Sequence, residues 1–348
     1  MFLGLFAINL LISTLALFIL PDKYFNDTKI IVIDKWHEIG WVGSYPFAIM
    51  FYKLTALKYL PFPVVAIVQY PILMYILYKI GVSPDFYKIN VKNVLVYIGF
   101  FLLALYASMP SKEFITFIYI ALVPYIFIRT DKSLRYKVTA TMLLIAFFGS
   151  FFRHYYLLIP IIAIGMYMAT FIKLKNKSFS VVFYGLLIAI FLSFSHGIVN
   201  GEYLSKSTRE DYTDEQKVAL KINSVIESPI SQDTWYGESF GIVYGFLAVN
   251  LPIIEGMKHL MAPQIVAFII WQLCMFYILF VRFSKVLKDK KKYELELWIF
   301  LILIAYFIVQ GIFEPDLGTS IRHKIGFFPL IYYLLYYEKF NKRLQTNS

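Results

Sequence analysis

Long apolar segments recur along the whole chain and alternate with short polar or basic stretches. The segments long enough to cross a bilayer lie at about 2–20, 62–80, 94–109, 113–129, 137–152, 155–172, 180–197, 263–281, 295–313 and 325–338. A helix needs roughly 20 apolar residues to cross the hydrocarbon core. The pattern therefore predicts an all-α fold, a polytopic transmembrane bundle of about 10 (10–11) helices.

The number of helices depends on one mixed stretch. Trp41 to Leu60 is half apolar but carries Lys53 and Lys58. This mixture predicts an amphipathic helix that lies at the membrane interface, and a spanning helix is the alternative. The first segment begins at Met1 without a basic n-region or a small-residue cleavage site. We therefore expect a retained helix rather than a signal peptide.

Composition supports the membrane assignment. Of the 348 residues, 59% are hydrophobic and 16% are charged, and the mean hydropathy is +0.66. Soluble domains carry roughly 25% charged residues. The net charge of +11 does not indicate nucleic-acid binding, because the basic residues lie in short loops between apolar segments. A single cysteine, Cys274, excludes an intramolecular disulfide and a cysteine-rich metal site.

Lysine and arginine are concentrated in alternate loops, the pattern that orients helical membrane proteins. The basic loops lie at 79–92, 129–137, 173–177 and 282–292, and the tail is also basic. These loops, and with them both termini, are expected to be cytoplasmic. We therefore expect one integral membrane domain, 1–348, whose opposite face carries a first loop at 21–61 and a large loop at 198–262.

The large loop has two halves. Lys206 to Lys221 is polar, whereas the second half around Gly241–Ile254 is apolar and is interrupted by Pro252. We expect this second half to form an amphipathic helix that lies on the membrane or dips into it. Loops of this length are usually functional or disordered.

All five histidines fall on the predicted external side: His37, His154, His196, His259 and His323. None of the spacings HxxxH, HxH or HExxH occurs, although a helical metal pair needs such a spacing. The sequence therefore disfavours a metal site and predicts no cofactor.

Two external turns each carry an arginine followed by a histidine, Arg153-His154 and Arg322-His323. An ionisable residue at the mouth of a helical bundle is by default a candidate for function. The alternatives are snorkelling to lipid headgroups or pairing of Arg322 with the nearby carboxylates, Glu314 and Asp316. Both interpretations stay open for Arg153, and for Arg322 we favour function.

Two converging arginines would form a clamp for a diphosphate, because a guanidinium offers two parallel donors to phosphate oxygens and keeps its charge. Lys112 and Lys324 are further candidates for phosphate binding, although a helix start explains the Lys112-Glu113 pair, whose acid suits the positive helix end. His323 titrates near neutral pH and could accept a proton from an attacking hydroxyl.

Three carboxylates are alternative bases. Glu314 and Asp316 could accept the proton, hold Arg322 or cap a helix. Glu238 stands beside Trp235 and Tyr236, which could form a floor for a sugar ring or could equally belong to the aromatic belt of the membrane interface.

These residues resemble a family. The run Glu314-Pro315-Asp316-Leu317-Gly318-Thr319-Ser320-Ile321-Arg322-His323-Lys324 is similar to the closing element of bacterial Wzy-type polymerases, which assemble O-antigen, capsule and exopolysaccharide repeat units. The PSKEF segment (Pro110 to Phe114) and the RHYY turn (Arg153 to Tyr156) are similar in type and place. The resemblance covers the whole chain as topology and about twenty residues as motif.

The resemblance implies a GT-C-like fold, related to that of O-antigen ligases, in the bacterial inner membrane. It implies transfer of a growing glycan from undecaprenyl pyrophosphate to the end sugar of a lipid-linked repeat unit on the periplasmic face. In the related ligases, arginines hold the pyrophosphate and a histidine serves as base; Arg153 and Arg322 match the arginine role and His323 the base, whereas Glu238 matches no motif. The expected partners are the undecaprenyl-pyrophosphate-linked oligosaccharide, the bilayer and, as a further candidate, a chain-length-regulating co-polymerase.

Two other functions stay open. A ligase or another GT-C transferase would use the same clamp and base; the first loop has Asp22, Asp27 and Asp34 but no D-D or D-x-D pair, which disfavours the metal-dependent subclass. A transporter or flippase would place charges near the bilayer midplane and interrupt its helices there. Pro124 and Pro160 within apolar segments favour transport, whereas the external position of the charges disfavours it.

Overall fold

A computed structural model describes residues 1–34, 40–172, 175–206, 224–258 and 261–346. These residues form helices, turns and loops, and the only β-type pairing among them is an isolated antiparallel bridge between Val225 and Asp316. The expected all-α fold is confirmed at this level. The chain forms two compact units, one of Met1–His154 with Arg322–Ser348 and one of Tyr155–Ile321.

The first unit contains most of the N-terminal helices and the last one. They are α1 (Phe2–Ile19), α2 (Asn26–Ile33), α3 (Ser44–Leu54), α4 (Phe62–Ile80), α5 (Val91–Tyr106), α6 (Lys112–Ile128), α7 (Leu134–Phe151) and α15 (Phe328–Thr346). Short 3₁₀ helices lie at Asp22–Phe25 and Leu57–Tyr59.

The second unit contains the middle of the chain. Its helices are α8 (Leu158–Ala169), α9 (Lys177–Asn200), α10 (Trp235–Asn250), α11 (Ile253–Met257), α12 (Pro263–Lys288) and α13 (Glu294–Phe313). Helix α14 (Leu317–Gly326) contains the boundary between the units, and a 3₁₀ helix at His154–Leu157 precedes α8.

Five helices in the described part of the chain are long and apolar enough to cross a membrane. They are α4, α7, α9, the stretch Ile265–Lys288 of α12, and α13. Phe2–Phe18, Val91–Tyr106 and His154–Ala169 are shorter apolar helices. Within an 18-residue apolar stretch of each helix, 94% of the stretch is buried inside the protein in α13, but only 28–44% in the other four helices. The latter four therefore present broad apolar faces outward, as expected of a helical membrane protein.

Close packing in the first unit depends on a glycine in α5. A Cβ atom at Gly99 would lie 2.2 Å from the ring of Phe328 at the start of α15. Helix α1 packs against α4 and α5, and α15 packs against α6. Helix α15 follows α14 directly. Its packing against α6 therefore holds the end of α14, with Arg322 and His323, beside the N-terminus of α6.

The second unit is built around α13, which packs against α8, α9, α10 and α12. A Cβ atom at Gly311 would lie 2.5 Å from the backbone of Phe246, so α10 and α13 are in backbone contact at this point. The side chain of Asn250 also donates to the carbonyl of Phe307 on α13 over 3.1 Å.

The structure refines three boundaries. The stretch 41–60 contains helix α3 and then a turn, with Ala56 in the left-handed region at φ 60°. The segment expected at 155–172 is a shorter α-helix that begins at Leu158, so Pro160 lies in its first turn, where a missing N–H breaks no helical hydrogen bond. The apolar half of the large loop is helix α10, which ends before Pro252.

Candidate functional site

A group of ionisable side chains is concentrated in the first unit. They come from four separate places in the sequence and have opposite charges at ion-pair distances. We call this group the charged cluster, and it consists of Asp27, Lys112, Glu113, Arg153, Arg322 and His323.

Glu113 is the common partner of the cluster. Its Oε1 lies 3.3 Å from Arg153 Nη2, 3.6 Å from Arg322 Nε and 3.5 Å from His323 Nε2. The Glu113 side chain is 1% exposed. Two arginines that are distant in sequence therefore approach one carboxylate oxygen.

The local sequence fixes Glu113 at the start of α6. Ser111 is the N-cap residue, and its Oγ accepts a hydrogen bond from the N–H of Phe114 over 3.2 Å. The hydroxyl of Tyr52 on α3 accepts from the N–H of Ser111 over 2.9 Å and donates to its carbonyl over 3.1 Å. Gln69 on α4 donates to the same hydroxyl over 2.9 Å. Helices α3 and α4 thus hold the first turn of α6 in place.

Asp27 provides the second carboxylate. Its Oδ2 lies 2.9 Å from Arg322 Nη2 and 3.2 Å from Lys112 Nζ, and its Oδ1 accepts from the hydroxyl of Tyr45 over 2.9 Å. Lys112 Nζ also stands 3.5 Å from the centre of the Tyr45 ring, a cation–π contact. Helices α2 and α3 are thereby connected to the cluster.

The surroundings of Asp27 and His323 shift their proton affinities. Burial alone would raise the pKa of the Asp27 carboxyl, but the charges of Arg322 and Lys112 and the hydrogen bonds from Tyr45 and Lys112 outweigh it, and the pKa lies well below its ordinary value. Burial, followed by the charge of Arg153, holds the pKa of His323 well below 6.5, and Glu113 opposes this shift only in part. The shift favours the neutral imidazole of His323 over its protonated form.

The cluster contains four of the candidate residues from the sequence, namely Lys112, Arg153, Arg322 and His323. Asp27 and Glu113 are two carboxylates beside Arg322, and the sequence suggests Glu314 or Asp316 for the same role. The sequence explains Glu113 as a helix start and offers Asp27 only as a member of an absent D-x-D pair. Both acids lie on the side of the chain that the sequence assigns to the external face.

Residues in and beside the two arginine-histidine pairs differ in burial. His154 is exposed at the end of the first unit, although it directly follows the buried Arg153. Lys324 is fully buried in α14. His37 and His259 lie outside the described residues, as does 207–221 of the polar half of the large loop.

Glu238 lies in the second unit, at the start of α10, and is 0% exposed. Its Oε1 accepts from Ser193 Oγ over 2.5 Å and from the N–H of Ser205 over 3.2 Å, and its Oε2 accepts from the Ser205 hydroxyl. These donors fix the segment after α9 onto α10. The arrangement is that of a structural carboxylate, and the candidate role of Glu238 as a base stays a prediction.

The other candidates of the second unit have separate environments. Asp316 accepts from the N–H of Thr319 over 2.9 Å and from its hydroxyl over 2.5 Å, which caps α14. Glu314 accepts from the side chain of Gln310 over 3.2 Å. Trp235 and Tyr236 are exposed by 65% and 53%, with their rings nearly perpendicular, so they remain open to a ligand or to lipid.

The long apolar helices indicate a helical membrane protein, and the first unit contains a buried charged cluster. No protein-family model, curated protein or solved structure matches it in comparisons of sequence and fold. Among the described residues, no three histidine, cysteine or acidic side chains are grouped as a metal ion would require.

Proposed function

We propose that the protein is a glycosyltransferase that takes a glycan from a lipid diphosphate, specifically a polymerase of the Wzy type. The observation that carries the proposal is the convergence of Arg153 and Arg322 on one point beside His323. A leaving diphosphate needs positive charge where its own charge develops, and a base must take the proton of the attacking hydroxyl.

The proposed transfer uses these groups in defined roles. The hydroxyl oxygen of the acceptor sugar attacks the anomeric carbon of the donor glycan, and the bond from that carbon to the diphosphate oxygen breaks. The electron pair stays on the diphosphate, which Arg153, Arg322 and Lys112 bind. The hydroxyl proton passes to a ring nitrogen of His323, which enters the step as a neutral imidazole.

The proposal includes the membrane setting. Asp27, Lys112, Arg153 and Arg322 come from four segments that the alternation of basic loops assigns to the external face, and their meeting in one cluster supports that assignment. We propose about ten membrane-spanning helices in a GT-C-like bundle in the bacterial inner membrane. The proposed donor is the undecaprenyl-pyrophosphate-linked oligosaccharide, and a chain-length-regulating co-polymerase is a candidate partner.

The test is transfer by the purified protein from lipid-linked repeat units without nucleotide sugar. A ladder of longer lipid-linked products supports a polymerase. Transfer only to a different lipid acceptor indicates a ligase-type transferase, and movement of the lipid-linked substrate across vesicles without chemistry indicates a transporter. A chelator in the same assay tests whether transfer needs a metal ion.

Variants connect the activity with the cluster. Arg322→Ala and His323→Ala should abolish long products while the amount of protein in the membrane stays unchanged. Arg129→Ala is the matched control, because Arg129 is exposed and pairs with Asp131 outside the cluster. Polymer of wild-type length from the Arg322 and His323 variants would refute both assigned roles.

A further inference from the structure

Asp27 and Arg322 form the outermost part of the charged cluster. Their side chains are exposed by 15% and 21%, whereas Arg153 and Glu113 are exposed by 4% and 1%. An anion that enters the cluster therefore meets the Asp27–Arg322 pair first.

Arg322 is shared between two anions. Its Nη2 faces Asp27 over 2.9 Å and its Nε faces Glu113 over 3.6 Å. A guanidinium presents its donors in a fixed plane that suits two anionic groups side by side. The two carboxylates therefore occupy positions for which the phosphate groups of a ligand would compete.

The two carboxylates differ in how firmly they are held. Glu113 lies in the first turn of α6, which the contacts of Ser111 and Tyr52 fix. Asp27 lies in the first turn of α2, a helix of eight residues. Isolated helices of that length are only marginally stable, so displacing Asp27 disturbs less structure than displacing Glu113.

We propose that Asp27 is a specificity-determining residue, an internal anion that keeps monoanionic phospholipid headgroups out of the cluster and yields to a diphosphate headgroup. The inference rests on the proposed function for its ligand class. A membrane surface holds anionic lipids at high local concentration, and basic residues attract them. A tethered carboxylate competes at high effective concentration.

The charge of the ligand decides this competition. A phosphodiester headgroup carries one negative charge and replaces one carboxylate with a group of equal charge. A diphosphate carries at least two, and it can reach Arg322 and Arg153 together because both arginines approach Glu113 Oε1. Only the diphosphate gains contacts when it displaces Asp27.

The test measures the dissociation constant of inorganic pyrophosphate by calorimetry, with the full chain in nanodiscs of phosphatidylcholine alone or with phosphatidylglycerol added. For each variant, the dissociation constant with phosphatidylglycerol present is divided by the constant in phosphatidylcholine alone, and these ratios are compared. Asp131→Asn is the matched control, because Asp131 pairs with Arg129 at the same 2.9 Å but outside the cluster. The control measures the general repulsion of pyrophosphate by an anionic surface.

In Asp27→Asn, the ratio should exceed that of the wild type and the control by about tenfold, or ~1.4 kcal/mol, because phosphatidylglycerol now enters the cluster. Tyr45→Phe removes only the hydroxyl that orients Asp27. It should change the ratio in the same direction by less, and it provides the test if Asp27→Asn does not fold. Equal ratios in all the proteins would overturn the inference.

The outcome is separable from that of the proposed function. Equal ratios in a protein that elongates glycans would refute only the role of Asp27. A raised ratio in a protein without transfer activity would refute only the enzyme. Failure of the wild type and Asp27→Asn to bind pyrophosphate in either lipid would overturn both.

Discussion

Replacing Glu113 by glutamine tests the charged cluster most directly, because it removes the common partner of three groups without changing the shape of the side chain. At the 3.3 Å between Glu113 and Arg153, two unit charges attract by about 5 kcal/mol at an effective dielectric constant of about 20. Dehydration of both groups offsets much of this attraction. Removing one partner of a buried ion pair destabilises a protein by about 3–5 kcal/mol.

We expect a loss near the lower end, about 3 kcal/mol, because Asp27 still neutralises part of the charge of Arg322 and Lys112. The same substitution leaves the cations of the cluster with one carboxylate fewer. Pyrophosphate should therefore stabilise Glu113→Gln more than the wild type. A ligand at a hundred times its dissociation constant contributes about 2.7 kcal/mol, and the gap narrows by the excess of this gain over that of the wild type.

The assay is the melting temperature of the purified protein with and without pyrophosphate. Glu294→Gln is the control for charge at a helix start, since Glu294 lies in the first turn of α13 and only accepts from Tyr167 over 3.3 Å. Glu296→Gln breaks the buried pair with Arg282, whose contacts are both 2.6 Å, and should lower the melting temperature without rescue. The ion-pair network would be contradicted if Glu113→Gln melted at the temperature of the wild type. It would also be contradicted if pyrophosphate raised the melting temperature of Glu113→Gln no more than that of the wild type.

Two further predictions concern other residues. Burial keeps the pKa of His323 below 6.5 in the folded state. As the pH drops below about 6.5, the unfolded chain therefore binds the proton first, and stability should fall. In melting curves, His323→Gln should flatten this dependence on pH, and an unchanged dependence would contradict the prediction. Glu238→Ala leaves the donors of Ser193 and Ser205 without their acceptor and should destabilise by about 1–3 kcal/mol, while transfer per folded molecule stays unchanged. Ser239→Ala, on the same helix but only half-buried, is the control, and loss of transfer at full stability would support Glu238 as a base.

The positions of the apolar helices were predictable because one residue property determines them. Each of the ten apolar segments overlaps a helix, and Pro252 separates α10 from α11 as its missing N–H requires. The sequence did not predict that the apolar half of the large loop packs on α13. That contact depends on Gly311, whose role becomes visible only when the two backbones are seen together.

The cations of the site could be predicted from the sequence, but its anions could not. Arginines beside external helix ends stand out because positive charge is rare there, which identified Arg153 and Arg322. Acids have no such bias, so a helix start is enough to explain Glu113, and Asp27 stands out only for the lack of a D-x-D partner. Their roles depend on contacts between segments far apart in sequence, and neither spacing nor composition encodes those contacts.

The balance of charge within the cluster distinguishes it from a structural ion pair. Arg282 and Glu296 pair through two contacts of 2.6 Å, the short parallel geometry that compensates dehydration. In the cluster, three cations share two carboxylates, and the contacts of Glu113 range from 3.3 to 3.6 Å. Excess positive charge in a buried place is destabilising, since the interior does not replace the lost hydration. An anion that completes the balance would reverse this effect, and a diphosphate has the charge and the paired acceptor groups to do so.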